Sequence, residues 1–184
     1  FMAHIKKFFI LIVATFCFLF TFVTTVGTYE DPITATSVDV DTGGQKYAYL
    51  TFDDGPRRST TTRLLDGLSE RGVKATFFLI GAQIENNGDV VRRMDEEGHQ
   101  VGIHTFDHVK LTDLSRTDFD AGGDHPGLLK STLGHNDFLL RPPYGMLDES
   151  VKAWAGCPII LWSIDPEDWR DQNTDRVVRE VVAG

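Results

Sequence analysis

From residue 46 onward, short apolar runs alternate with amphipathic stretches. Tyr47–Phe52 (YAYLTF) reads as a strand, and so do Ala75–Ile80 (ATFFLI), Gln100–His104, Phe138–Arg141 and Pro158–Ile164 (PIILWSI). Between them, Thr60–Arg71 sets Leu64, Leu65 and Leu68 on one helical face and is closed by Gly72. Val90–Glu97 reads as a helix ended by Gly98, and Glu149–Ala155 and Thr174–Val182 as two more. The pattern breaks over Asp118–Pro126 (DFDAGGDHP), where a helix is expected but Gly122, Gly123 and Pro126 interrupt it. Strands alternating with helices imply right-handed crossovers and a mainly parallel sheet, either open or closed into a barrel.

In such α/β folds a ligand site lies at the carboxyl ends of the strands. Asp53 and Asp54 end the first strand, His104 the third, Arg141 the fourth and Asp165 the fifth. Five polar groups are therefore expected on one rim. The stretch TFDDGP at 51–56 is the sharpest of these features. Two adjacent carboxylates repel, and burying one without a partner is costly. Either Asp-Gly and Gly-Pro make a solvated turn, or a cation sits there.

Other stretches bear on that choice. His104-Thr105-Phe106-Asp107-His108 spaces two imidazoles four apart, which on a helical turn puts both on one face. Two histidines and one carboxylate form a facial set that leaves room for water and substrate, although His108 alone reads equally well as a solvated loop residue. If Asp54 is a ligand, the cation removes the repulsion and Asp53 is free to accept a proton. In Arg141-Pro142-Pro143-Tyr144 the prolines stiffen the backbone, so the Tyr144 N–H could be aimed at a developing oxyanion. Arg141 could clamp a carboxylate; a surface turn with an Arg–Asp pair is the plainer reading. Asp165-Pro166-Glu167-Asp168-Trp169 adds acids and an aromatic able to wall a sugar cleft, or else merely starts a helix.

With TFDDGP at 51–56, HTFDH at 104–108, RPPYG at 141–145 and DPEDW at 165–169 in this order, the chain resembles the polysaccharide deacetylase family with the NodB homology domain, carbohydrate esterase family 4. The resemblance covers about residues 45–180 and implies an irregular (β/α) barrel. It implies Asp53 as general base, and Asp54, His104 and His108 as ligands of a divalent metal, zinc first, with cobalt, manganese and nickel also used. It makes Arg141 the residue that orients Asp53, and gives the Tyr144 amide to the oxyanion. Pro143, Tyr144 and Trp169 would line the substrate groove, with Asp168, or else Asp165, tuning the catalytic acid.

One part of the family pattern is missing. A Leu-x-His after the last helix, whose histidine protonates the leaving amine, has no counterpart: the histidines are His4, His99, His104, His108, His125 and His135. Neither His125 nor His135 is expected to replace it, and the expectation is a sequence truncated before the last strand. Lacking a general acid costs roughly 10²–10⁴ in rate.

Charge and the N-terminus set the remaining bounds. With 18 basic against 27 acidic residues the net charge is -9, which argues against nucleic acid as a partner. His4-Ile5-Lys6-Lys7 precedes a nearly apolar stretch from Phe8 to Val26, so residues 1–27 read as a signal peptide or a membrane anchor and 28–44 as a linker. The domain from 45 to 184 is then exported, touching the membrane only through that segment. Cys17 and Cys157 exclude a disulfide within the mature domain. The expected activity is N-deacetylation of N-acetylglucosamine-containing polysaccharide by a monomer, with peptidoglycan first and chitin oligomers second. The rivals are an O-deacetylase on acetylated xylan and a catalytically dead carbohydrate-binding relative.

Overall fold

The computed structural model describes residues 48–123, 126–171 and 173–183. The signal or anchor, the linker, the start of the first expected strand and His125 lie outside them. Among the described residues no helix is long and apolar enough to cross a membrane. Four strands, β1 (Thr51–Gly55), β2 (Thr76–Leu79), β3 (Gln100–Ile103) and β4 (Leu139–Leu140), form one sheet in sequential order. Every pairing is parallel. The connections carry α1 (Arg58–Glu70), α2 (Gly88–Glu96) and α3 (Pro126–Leu133), and α4 (Glu149–Trp154) and α5 (Thr174–Ala183) follow β4. This is the α/β alternation that the apolar runs predict.

The helix ends follow their glycines. Gly72 and Gly98 take φ of 63° and 78°. Val73 N–H donates to Leu68 O at 3.0 Å, and His99 N–H to Met94 O at 3.0 Å. Each closes its helix with a left-handed glycine that supplies donors to the last carbonyls.

Three expectations need correction. The first strand lies further along than expected, and residues 48–50 are not in it. Phe52 pairs with Phe77 but Gly55 with Leu79, so three steps on β1 match two on β2. The extra residue makes a bulge at Asp53–Asp54, with Asp54 at φ 64°. The expected fifth strand, Pro158–Ile164, is a single parallel bridge between Ile159 and Leu140. Beyond it, the Ile160 and Leu161 carbonyls accept from the Arg141 guanidinium instead of a further strand. The broken segment does make helix: a turn at Arg116–Asp118 widens into a π turn at Phe119–Gly123, and α3 begins at Pro126. Proline is tolerated in a first helical turn because its missing N–H would have no intrahelical partner there.

Core packing sets the sheet under the site. Phe77 and Leu79 join Leu65, Val91, Met94, Val101 and Ile103 in the main cluster. Phe78, between them, points to the opposite face and is fully buried. A Cβ on Gly102 would lie 2.6 Å from the Phe78 ring and 2.9 Å from Leu139 O, so the glycine makes the space that Phe78 fills.

His99, just before β3, is buried and its Nδ1 accepts the Ala75 N–H at 3.1 Å. Its Nε2 has no hydrogen-bond partner, and the nearest carboxylate oxygen, Glu97 Oε2, is 3.8 Å away. Burial, reinforced by Lys74, pushes this imidazole below its ordinary 6.5. The unfolded chain therefore takes the proton first. Above pH 6.5 both states are neutral and His99 has no effect; below it, stability falls until the lower native value is reached. In urea unfolding between pH 7.5 and 5.5, His99→Gln should shallow the decline of the midpoint; an unchanged slope would remove His99 as its source.

Candidate metal-centred active site

The bulge in β1 settles why two adjacent carboxylates are useful here. A regular strand sends successive side chains to opposite faces. With Asp54 at positive φ, both acids approach His104: Asp54 Oδ1 lies 3.4 Å from its Nε2 and Asp53 Oδ2 lies 3.9 Å away. Of the two readings of TFDDGP, a solvated turn or a cation site, the geometry supports the cation site.

His104 and His108 do not share a helical face. They lie on a loop with Thr105 and His108 at φ 63° and 55°. The loop is pinned to the turn at Gly81–Ile84, where the amides of Gly81 and Ala82 donate to the carbonyls of Thr105 and Phe106 at 3.0 Å each. The Thr105 hydroxyl accepts the Val109 N–H at 3.1 Å. A Cβ on Gly81 would collide with Phe106, so this contact also requires glycine. The loop brings His108 Nε2 to 3.3 Å from Asp54 Oδ1.

Asp54, His104 and His108 each offer one donor atom, all within 4.8 Å of one another. Two donors about 2.0–2.1 Å from a tetrahedral ion stand about 3.4 Å apart, close to the two histidine–aspartate separations. Tautomer chemistry makes the stronger case. His104 Nδ1 is 2.6 Å from the Arg141 carbonyl, so that nitrogen carries the hydrogen and Nε2 presents a lone pair. Burial pushes the His104 imidazole below its ordinary value against the pull of Asp53, which keeps it neutral. A lone pair facing a carboxylate oxygen at 3.4 Å is repulsive unless a cation lies between them. The residues therefore fit a divalent metal.

Arg141 is 2% exposed, and four hydrogen bonds engage its guanidinium. Nη1 donates to Thr51 Oγ1 and to Asp53 Oδ1, both at 2.8 Å; Nη2 donates to Leu161 O at 2.9 Å and Nε to Ile160 O at 3.2 Å. The guanidinium lies 4.1 Å over the Phe78 ring and 5.6 Å from that of Trp162. Asp53 thus has one oxygen held and the other turned toward the metal-ligand cluster.

In the turn after Arg141, Pro143 is buried, and Tyr144 adopts φ 62° with its ring 4.8 Å from that of His108. The turn closes through Gly145 N–H to Pro142 O and Met146 N–H to Pro143 O, and neither bond uses the Tyr144 N–H. Trp162 packs on Gly145, where a Cβ would come within 2.7 Å of its ring. In the sequence Trp162 stands only within an expected strand, and its one signal is that it is a lone aromatic in the aliphatic run PIILWSI.

The DPEDW residues are more dispersed. Asp168 lines a cavity of about 340 Å³ together with Asp53 and Asp54. Asp165 does not join the rim: its Oδ1 accepts the Glu167 N–H at 2.8 Å. Trp169 is 76% exposed. Arg176, on α5, holds this loop by donating to Pro166 O and Glu167 O. His135 bonds Asp95 at 3.2 Å.

Two outcomes follow from this geometry. Asp54→Ala should abolish uptake of one equivalent of zinc in equilibrium dialysis while Asp53→Asn retains it; equal uptake by both would reverse the assignment. Arg141→Met should cost about 3 kcal/mol in urea unfolding, the low end for breaking a buried pair because Asp53 keeps some water contact. A loss below 1 kcal/mol would show that the buried partners are satisfied without it.

The polysaccharide deacetylase family model matches residues 40–156. The peptidoglycan-N-acetylglucosamine deacetylase PgdA of Listeria monocytogenes is 42% identical over 141 residues, covering 73% of this chain and 29% of that protein. The peptidoglycan-N-acetylmuramic acid deacetylase PdaC of Bacillus subtilis is 36% identical over 139 residues, 75% of this chain and 30% of the relative. Its solved structure superposes with a TM-score of 0.72 at 35% identity, covering 76% and 70% of the two chains. A chitooligosaccharide deacetylase of Bradyrhizobium is 37% identical over 153 residues, 78% of this chain and 68% of that protein. The chain spans under a third of the length of the two peptidoglycan deacetylases. With the motifs and the parallel sheet in agreement, the chain belongs to the polysaccharide deacetylase family, of the NodB and carbohydrate esterase 4 type.

Proposed function

We propose that residues 45–184 are the catalytic domain of an exported, metal-dependent hydrolase. It removes N-acetyl groups from N-acetylglucosamine-containing polysaccharide, with peptidoglycan first and chitin oligomers second. Export rests on the basic and apolar segment over residues 4–26. The observation that carries the chemistry is the convergence of two imidazole nitrogens on Asp54 Oδ1 at 3.3 and 3.4 Å, with Asp53 beside them.

Asp54, His104 and His108 would hold the dication, zinc first, with cobalt, manganese or nickel as substitutes. When bound, it supplies Lewis-acid polarisation and lowers the pKa of water in its coordination sphere from about 16 toward 7. Asp53 accepts the proton that water gives up as it attacks the acetyl carbon. The receiving atom is Oδ2, since Oδ1 is held by Arg141. That bond keeps the carboxylate aimed, so no rotamer search precedes transfer. The Tyr144 N–H, left out of the bonds that close its turn, is a donor for the charge developing on the acyl oxygen. The leaving amine must gain a proton, and Asp168 lines the cavity where an acid for that step would be tuned.

Acetate release from N-acetylglucosamine oligomers and from peptidoglycan tests the reading. Turnover should vanish with a chelator and return with zinc. Turnover insensitive to chelation would refute the metal role, and acetate released only from acetylated xylan would refute the N-deacetylase assignment.

A further inference from the structure

The cavity beside the two aspartates contains a cation with no assigned task. Arg57 lines it along with Phe52, Asp53, Asp54, Thr60 and Asp168. At about 340 Å³ the space is within the range of small-ligand sites. Two adjacent arginines sit here and differ in their engagements. Arg58 forms a two-pronged pair with Asp89 at 2.6 and 2.7 Å. Among the described residues, Arg57 has no ion pair. Its backbone is nevertheless fixed, since its N–H donates to Thr61 Oγ1 at 2.9 Å and its carbonyl accepts from the Thr60 and Thr61 amides at 3.1 and 2.7 Å.

The neighbouring charges are mostly accounted for. Asp53 is held by Arg141, and Asp54 belongs to the metal-ligand cluster. That leaves Arg57 and the exposed Asp168 to set the field that an incoming substrate meets. Arg57 is exposed, and Arg63, Arg92 and Arg179 likewise have no ion pair among the described residues; what distinguishes Arg57 is its place in the lining that Asp53, Asp54 and Asp168 share. A planar guanidinium matches a carboxylate bidentately, and a fixed backbone lowers the cost of ordering it. Neutral N-acetylglucosamine polymers offer it no anion.

We propose that Arg57 is a specificity-determining residue that makes this cavity prefer an acetamido sugar bearing an ether-linked carboxylate, of the muramic acid type, over a neutral one. This rests on the deacetylase reading and deepens it. A hydrogen bond to a charged partner corresponds to about 10- to 100-fold in affinity.

The test uses the full chain loaded with zinc and carrying Asp53→Asn to prevent turnover. Calorimetry compares the disaccharide of N-acetylglucosamine and N-acetylmuramic acid, its methyl ester, and di-N-acetylchitobiose. The free acid should bind about tenfold or more tightly than its ester. Arg57→Gln should bring the two together, and Arg57→Lys should restore part of the difference, with unchanged urea midpoints showing that both variants are folded. Equal binding of acid and ester, a preference that survives Arg57→Gln, or no binding of any sugar would overturn the inference. Equally tight Arg57-dependent binding of inorganic phosphate would overturn it in favour of a general anion site. Failure of the deacetylase reading registers separately, as absent acetate release by the wild-type chain on a disaccharide that still binds through Arg57.

Discussion

The guanidinium of Arg141 is the contact on which the candidate site depends. Buried charge is tolerated only when it is neutralised and hydrogen-bonded throughout, and this one has a carboxylate, a hydroxyl and two carbonyls as acceptors. Those acceptors come from β1 and from the segment that follows β4's single bridge. The backbone of the same residue accepts from His104 Nδ1. One residue thereby fixes which oxygen of Asp53 and which nitrogen of His104 stay free, the atoms on which the proposed chemistry relies. Its floor, Phe78, fits only because Gly102 has no side chain. A packing decision on β3 is thus transmitted to the chemistry.

Local strain is concentrated in the same region. Five described non-glycine residues have positive φ: Asp54, Thr105, His108, Tyr144 and Glu167. Four belong to the motifs TFDDGP, HTFDH and RPPYG, and the fifth lies in the DPEDW loop. Each left-handed non-glycine costs on the order of 1–3 kcal/mol and persists only where its surroundings over-determine it. Here they do so through hydrogen bonds: the Thr105 and Phe106 carbonyls bonded to the Gly81–Ile84 turn, the closed turn around Tyr144, and Arg176 holding the Glu167 carbonyl. The strain serves direction, since ordinary strand geometry would point Asp53 and Asp54 to opposite faces.

Electrostatics complete the arrangement. The site gathers acids in a protein that is already acidic, and each is balanced by a different device: a buried arginine for Asp53, a metal-ligand set for Asp54, and open water for Asp168. Arg57, with no ion pair among the described residues, remains in the cavity lining, and the inferred substrate choice rests on it.

Much of this was legible in the chain. Alternating apolar runs separated by glycine-closed amphipathic stretches dictate parallel strands and helices, because each element must bury one face and end where its backbone can turn. Asp53, Asp54, His104 and Arg141 are polar groups at the carboxyl ends of those runs and meet on one rim, whereas Asp165, expected there by the same rule, bonds within its own loop. Three features needed the tertiary structure. The bulge that turns both aspartates inward depends on strand register, which no local pattern encodes. The HTFDH pair converges through a loop bonded to a distant turn rather than through helical spacing. PIILWSI gives up strand geometry because its carbonyls serve Arg141, a partner some twenty residues away in sequence and adjacent only in space.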